Sequence, residues 1–212
     1  MMKALFRVKK WVTHILLSLK RYLFKLKLRI ATPEKRVEMM RRKFYHCGNN
    51  VRLRTTDFGT EPYLISIHDN VTCASGVKFI NHDGSIFQMA RFLGITLEEV
   101  DKVGTIVLYE NAFVGAHTIL MPNTSVGRNS VVAAGSVVTK RIPDGEVWGG
   151  VPAKFIMKTE DYARKVLENS RKYPWKYDAG GKLLSITGEE VIKLRQQYLF
   201  EQEALARKNV GE

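Results

Sequence analysis

"LYENAFVGAHTILMPNTSVGRNSVVAAGSVV", Leu108 to Val138, repeats its chemistry every six residues. Counting in sixes from Leu108 gives Val114, Leu120, Val126, Val132 and Val138, an unbroken apolar column. Two residues before the later members stand Ala112, Thr118, Thr124, Ser130 and Ser136, all small. One residue earlier again come Asn111, His117, Asn123, Asn129 and Gly135, mostly types that tolerate a positive φ. A period of six matches neither the 3.6 of a helix nor the 2 of a strand. It suits a solenoid in which short strands, separated by tight corners, stack coil upon coil. The apolar column then points inward, the small column lets coils approach, and the Asn/Gly column makes the corners.

Upstream, Ile67, Cys73 and Phe79 extend the apolar column, and Asn70 and Gly76 the corner column. Aligning "DNVTCASGVKF" on "ENAFVGAHTIL" takes an offset of 41, which exceeds three six-residue rungs by 23 residues. That excess must leave the coil after Phe79 and return near Thr105, giving an inserted loop over 81–104. It begins "INHDGSIF", so Asn81, His82 and Asp83 sit at its root. A long excursion from a rigid scaffold is more often functional than decorative.

Around the coil, Thr32-Pro33 opens a helix through "EKRVEMMRRKFYH", and Cys47 to Leu53 reads as a first rung. Downstream, Thr159 is placed to cap a helix to about Asn169, and Thr187 with Glu190 forms a capping box for a helix to Lys208. Ala179 to Gly181 is the linker between them. The expected organisation is a basic helical region over 1–46, a coil over 47–158, and a helical extension over 159–212.

The chain has 212 residues, 45% of them hydrophobic, enough for one core with additions. Its net charge of +13 is local: residues 1–50 hold 14 Lys and Arg against two acidic residues, whereas 51–212 hold 20 against 19. Nucleic-acid binding by the main domain is therefore not expected. Cys47 and Cys73 have neither metal-type nor disulfide-framework spacing, which fits a reducing, cytoplasmic compartment. "WVTHILLSL", Trp11 to Leu19, is too short to span a bilayer, and no small-residue cleavage site follows it. Leu5, Val8, Val12, Ile15, Leu16, Leu19, Leu23, Leu26 and Ile30 form a helical stripe among nine Lys and Arg. That is the pattern of a helix lying on an anionic membrane surface, the competing reading being an arm packed on another subunit.

With its columns, its "NHD" and its terminal "VWGGVPAK", the stretch 47–158 resembles the hexapeptide-repeat acyltransferases. The resemblance implies a mainly β chain folded as a left-handed parallel β-helix, with an N-terminal amphipathic helix and C-terminal helices added, assembled as a homotrimer. It also implies acetyl-coenzyme A as co-substrate and a sugar or antibiotic hydroxyl as acceptor. His82 is the expected general base, because imidazole is largely neutral near pH 7 and can take a hydroxyl proton. Asp83 or a backbone carbonyl would fix its tautomer, and a backbone N–H would hold the oxyanion. Ala133, Ala134 and Gly135 would let the pantetheine arm run along backbone. Lys140, Arg141 and Lys154 stand where the resemblance locates phosphates, and Trp148 and Pro152 would contact the pantetheine or adenine.

Each of these residues has a plainer reading. His82 would be a turn residue, and His117 a corner residue, its favoured reading, although with Asn81 it is also placed to line an acceptor site. Lys140 and Arg141 would be solvated charge, Trp148 an end-cap of the coil, and Tyr173, Trp175 and Tyr177, whose other reading is a platform that stacks a sugar ring, packing between helix and coil. The leading function is O-acetylation of a cell-surface polysaccharide or its precursor by an enzyme peripheral to the inner face of the plasma membrane. Antibiotic O-acetylation is the alternative, and a non-catalytic scaffold is the reading from outside enzymology. A zinc carbonic anhydrase on the same coil would need three clustered histidines, and the spacings of His68, His82 and His117 supply no such set, so no metal is expected.

Overall fold

The computed structural model describes the backbone of residues 2–177, 183 and 188–210, with side chains from Trp11 to Lys208 among them. Two compact units divide it, 1–159 and 160–212.

In the first unit, strands β1 (His46–Cys47), β2 (Arg52–Leu53), β3 (Ile65–Ile67), β4 (Thr72–Cys73) and β5 (Lys78–Phe79) precede the excursion. After it come β6 (Ile106–Leu108), β7 (Phe113–Val114), β8 (Ile119–Leu120), β9 (Thr124–Val126), β10 (Val131–Val132) and β11 (Val137–Val138), closed by β12 (Glu146–Gly149) and β13 (Lys154–Lys158). They assemble into three sheets, β1-β3-β6-β9, β2-β4-β7-β10-β12-β13 and β5-β8-β11. All pairings are parallel except β12 with β13, which turns the last strand back and covers the end of its sheet. Registers confirm the repeat: Phe113 pairs with Val131, and Thr72 with Phe113, the offset of 41 expected across the excursion.

Every member of the apolar column from Ile67 to Val138 is buried, as is the small column. The corners follow the third column, with φ of 60° at Asn111, 57° at His117, 61° at Asn123, 56° at Asn129 and 71° at Gly135. Asparagine does more there than tolerate the left-handed region. Nδ2 of Asn50 donates to Asn70, Asn70 to Asn111, and Asn111 to Asn129, at 2.9, 3.0 and 2.8 Å, so one corner is an amide ladder along the coil. Fully burying one Val or Leu of the column is worth about 1.5–3 kcal/mol. Leu120, paired in register between Phe79 and Val138, has no room to relax. Leu120→Ala is expected to cost about 2–5 kcal/mol, read by denaturant unfolding; a loss below 1 kcal/mol would contradict the packing described.

Helix α1 (Met2–Ile30) and α2 (Pro33–Met40), the latter capped by Thr32, close the N-terminal end. Leu28, Val37, Met40 and Phe44 join the coil's core, and Phe44 meets Phe58 edge-on at 5.3 Å. Arg36 fixes the end of α1, its guanidinium donating to the carbonyls of Leu28, Arg29 and Leu53 at 2.8, 3.1 and 3.1 Å. With α3 (Ile86–Leu93) in the excursion and α4 (Thr159–Arg171) and α5 (Gly188–Val210) beyond, helices hold more residues than strands. "Mainly β" therefore describes the coil and not the chain. Among the described residues, no helix is long and apolar enough to cross a membrane.

One detail of the extension differs from expectation. The Thr159 hydroxyl makes no hydrogen bond, so it does not cap α4. Within the second unit, Tyr173 and Trp175 stack at 4.6 Å, both edge-on to Tyr198 of α5, with Arg195 over Trp175. Thr187 and the Ala179–Gly181 linker lie outside the described residues.

Candidate active site

The excursion leaves the coil through a short antiparallel stem. Gly104 N–H donates to the Asn81 carbonyl at 2.8 Å, and Asp83 N–H to the Lys102 carbonyl at 3.0 Å, with His82 facing Val103 between them. Asn81 is buried and its Nδ2 reaches the Gly104 carbonyl at 3.4 Å, so it fastens the stem from inside. A rigid root of this kind fixes the ring of His82 far better than a mobile loop would.

The carboxylate beside His82 is not that of Asp83. His82 Nδ1 lies 3.1 Å from Glu61 Oε1, on the loop between β2 and β3. Burial pushes the Glu61 carboxyl up, but hydrogen bonds with Thr60 and His82 and the His82 charge outweigh it and leave it below its ordinary value. When the ring is neutral, an ionised Glu61 accepts from Nδ1–H and leaves Nε2 as the unprotonated nitrogen. That Nε2 is shielded from solvent and has no hydrogen-bond partner; Asp101 Oδ1 stands 4.0 Å away. Asp83 instead takes the Lys102 ammonium at 2.6 Å and the Ser85 N–H at 3.0 Å. The Lys102 hydrogen bond, with those from Ser85, lowers its pKa to about 2. The carboxylate against His82 is thus Glu61 and not the expected Asp83, which clamps the loop.

The remaining candidates stand at other corners. His117 lies between β7 and β8, whereas His82 follows β5; its ring lies where a Cβ on Gly76 would be, 2.4 Å from Nδ1, and its backbone N–H donates to the Ser75 carbonyl. Ala133, Ala134 and Gly135 occupy the same corner one coil on, where Gly135 faces open space. Gly115 meets Ala133 and Ala134, and Gly149 meets Ala133, so closely that a Cβ on either would clash, and this keeps successive coils in contact at that corner. Lys140 and Arg141 are exposed after β11, and neither has an ion-pair partner among the described residues. Trp148 is half-buried against the core, its Nε1–H donating to Glu146 Oε2 at 2.8 Å, while Glu146 also holds Lys158 at 2.7 Å. Pro152 follows a cis peptide, and Lys154 pairs with Gly149 on the exposed last strand. One chain therefore joins His82, Glu61 and Asn81, and leaves His117 and the other group on separate corners.

Neither cysteine offers a nucleophile: complete burial pushes the Cys73 thiol up to about 12, and burial also raises Cys47. Among the described residues no group of three His, Cys, Asp or Glu is arranged to hold a metal ion.

A parallel coil built on six-residue rungs is the architecture of the hexapeptide-repeat transferases. The chain belongs to that family. The bacterial transferase hexapeptide (six repeats) family matches residues 106–140. Protein CapG of Staphylococcus aureus is 39% identical over 149 residues, covering 69% of this chain and 84% of that one. The galactoside O-acetyltransferase of Escherichia coli (strain K12) is 30% identical over 116 residues, 55% of each chain. A solved maltose O-acetyltransferase from Clostridium difficile 630 superposes with a TM-score of 0.49 at 23% identity, over 68% of this chain and 88% of that one.

Proposed function

We propose that the protein is an O-acetyltransferase that moves the acetyl group of acetyl-coenzyme A to a saccharide hydroxyl, on a coil of left hand, with His82 as general base. The observation that carries this is the His82 ring, fixed by Glu61 at Nδ1 and free at Nε2. A hydroxyl is too weak a nucleophile toward a thioester unless its proton is taken as it attacks. Nε2 takes that proton, the thioester carbonyl becomes a tetrahedral oxyanion, and coenzyme A leaves as its thiol after receiving the proton back. Because Nε2 is shielded, acceptor entry calls for movement beside Asp101. An acceptor of the galactoside kind agrees with the relative that carries that name.

Glu61 is a positioning residue in this scheme. Glu61→Gln removes the charge and keeps the shape, and kcat is expected to fall by roughly 10²-fold with the acetyl-coenzyme A KM nearly unchanged, since only the tautomer and imidazolium stabilisation are lost. Glu61→Asp, which keeps the charge, should recover part of kcat, again at a nearly unchanged KM. Equal loss in both variants would assign Glu61 a structural part only.

The working unit in this reading is a homotrimer. It would bring His82 of one coil toward the corner of Ala133–Gly135 and the Trp148 rim of the next, groups that a single chain keeps apart. Light scattering is expected to give three times the 24.2 kDa chain mass; a monomer retaining full turnover would remove the shared site. The division into 1–46, 47–158 and 159–212 assigns lipid contact to the first part, through the exposed stripe Val12, Leu16, Leu19, Leu23 and Leu26 of α1. A cytoplasmic enzyme resting on the inner leaflet meets polysaccharide precursors there. Antibiotic acetylation lacks any comparable need for a membrane-facing helix.

A further inference from the structure

Helix α1 has two apolar faces. At 100° per residue, Leu19 and Leu23 point one way and Leu17, Phe24 and Leu28 another. The second face turns toward the coil, where it roofs a cavity of about 540 Å³ floored by Met40, Phe58, Gly59 and Thr60. That is the size of a ligand pocket. Its rim carries Lys20, Arg21, Lys25 and Lys43, and no acidic residue lines it. An adjoining cavity of about 400 Å³ adds Arg29 and one carboxylate, Asp57. Lys20, Arg21 and Lys25 have no ion-pair partner among the described residues, and Lys43 lies over the Phe24 ring at 4.1 Å. A helix that met only a membrane would keep its cations beside the lipid-facing stripe. Arg21 and Lys25 are turned away from it, toward the coil, where both line the cavity and can meet an anion.

The cavity also adjoins the base. Thr60 on its floor donates its hydroxyl to Glu61 Oε2 at 2.7 Å, and the other oxygen of Glu61 holds His82. Gly59 backs directly on the loop root, where a Cβ would lie 2.6 Å from the Phe79 carbonyl and 2.9 Å from Asn81 Oδ1. We infer that this groove binds the lipid carrier of the acceptor, a single hydrocarbon chain ending in a phosphate or diphosphate, with the attached saccharide passing over Thr60 to His82. The inference deepens the acetyltransferase reading and rests on it for the fate of the sugar. The chain lies along Leu17, Phe24 and Met40, and the phosphates meet Lys20, Arg21 and Lys25, whose donors suit dense negative charge.

The test is titration calorimetry of the full-length protein with farnesyl diphosphate below its micelle concentration, in the absence of acetyl-coenzyme A. Saturable binding of one molecule per chain, at least 10²-fold tighter than inorganic pyrophosphate or farnesol alone, is expected. R21Q/K25Q should weaken it at least tenfold, whereas L19S/L23S, on the opposite face, should not. Pyrophosphate binding as tightly as farnesyl diphosphate would make this a free-phosphate site, and loss through L19S/L23S would place the lipid on the outer stripe; either overturns the proposal, as does absence of binding. His82→Ala should bind farnesyl diphosphate like the wild type, so failure of the catalytic assignment and failure of the groove are read separately.

Discussion

His82→Ala should lower turnover by roughly 10²–10⁴-fold, the usual worth of a positioned general base, while acetyl-coenzyme A affinity stays within about a factor of two. The ring is bound at Nδ1 by Glu61 and contributes nothing to the apolar column, so its removal leaves the coil intact. The stem survives because its hydrogen bonds are made by backbone groups of Asn81, Asp83, Lys102 and Gly104. Circular dichroism and the unfolding midpoint should therefore match the wild type. A variant that folds and keeps most of its turnover on the true acceptor would transfer the base to another residue.

The second large effect concerns lipid. Removing residues 1–30 would take away Leu28, which is 4% exposed and part of the core, together with the carbonyls that Arg36 holds. Removal of residues 1–19 spares that anchor, yet deletes Lys3, Arg7, Lys9 and Lys10 and the outer apolar residues up to Leu19. Each cation near an anionic surface is worth about 1 kcal/mol, so affinity for phosphatidylglycerol vesicles should fall roughly 10³-fold. Binding of the full chain should weaken with salt over a Debye length of about 8 Å at physiological ionic strength. Co-sedimentation measures both. Equal binding before and after truncation would put the contact elsewhere, and dissociation of the oligomer would assign α1 to a neighbouring subunit.

The six-residue columns made the coil legible because each column answers one local demand. Burial selects Val and Leu, coil contact selects Ala, Ser and Thr, and a positive φ selects Asn and Gly, all at fixed spacing along the chain. His117 illustrates how far this goes, since its column alone placed it in a left-handed corner and the structure gives it φ 57°. The 23-residue excess likewise located the excursion and put His82 at its root.

Glu61 was not legible for the complementary reason. The first coil spaces its strands by 20 residues, Arg52 pairing with Thr72, and the loop over 54–64 has no six-residue pattern to reveal which side chain returns to His82. Asp83 was the nearer choice in sequence, but in space it belongs to Lys102.

Sequence by itself determined the coil, its corners, the excursion and the basic amphipathic first helix, since periodicity and composition are properties of neighbouring residues. Only the tertiary structure decided which carboxylate lies against the histidine, which face of α1 is tied down, and that Lys20, Arg21 and Lys25 line a cavity with Thr60, the neighbour of Glu61. Those outcomes depend on how coils of unequal length bring distant side chains within 3 or 4 Å, a distance that no local pattern encodes.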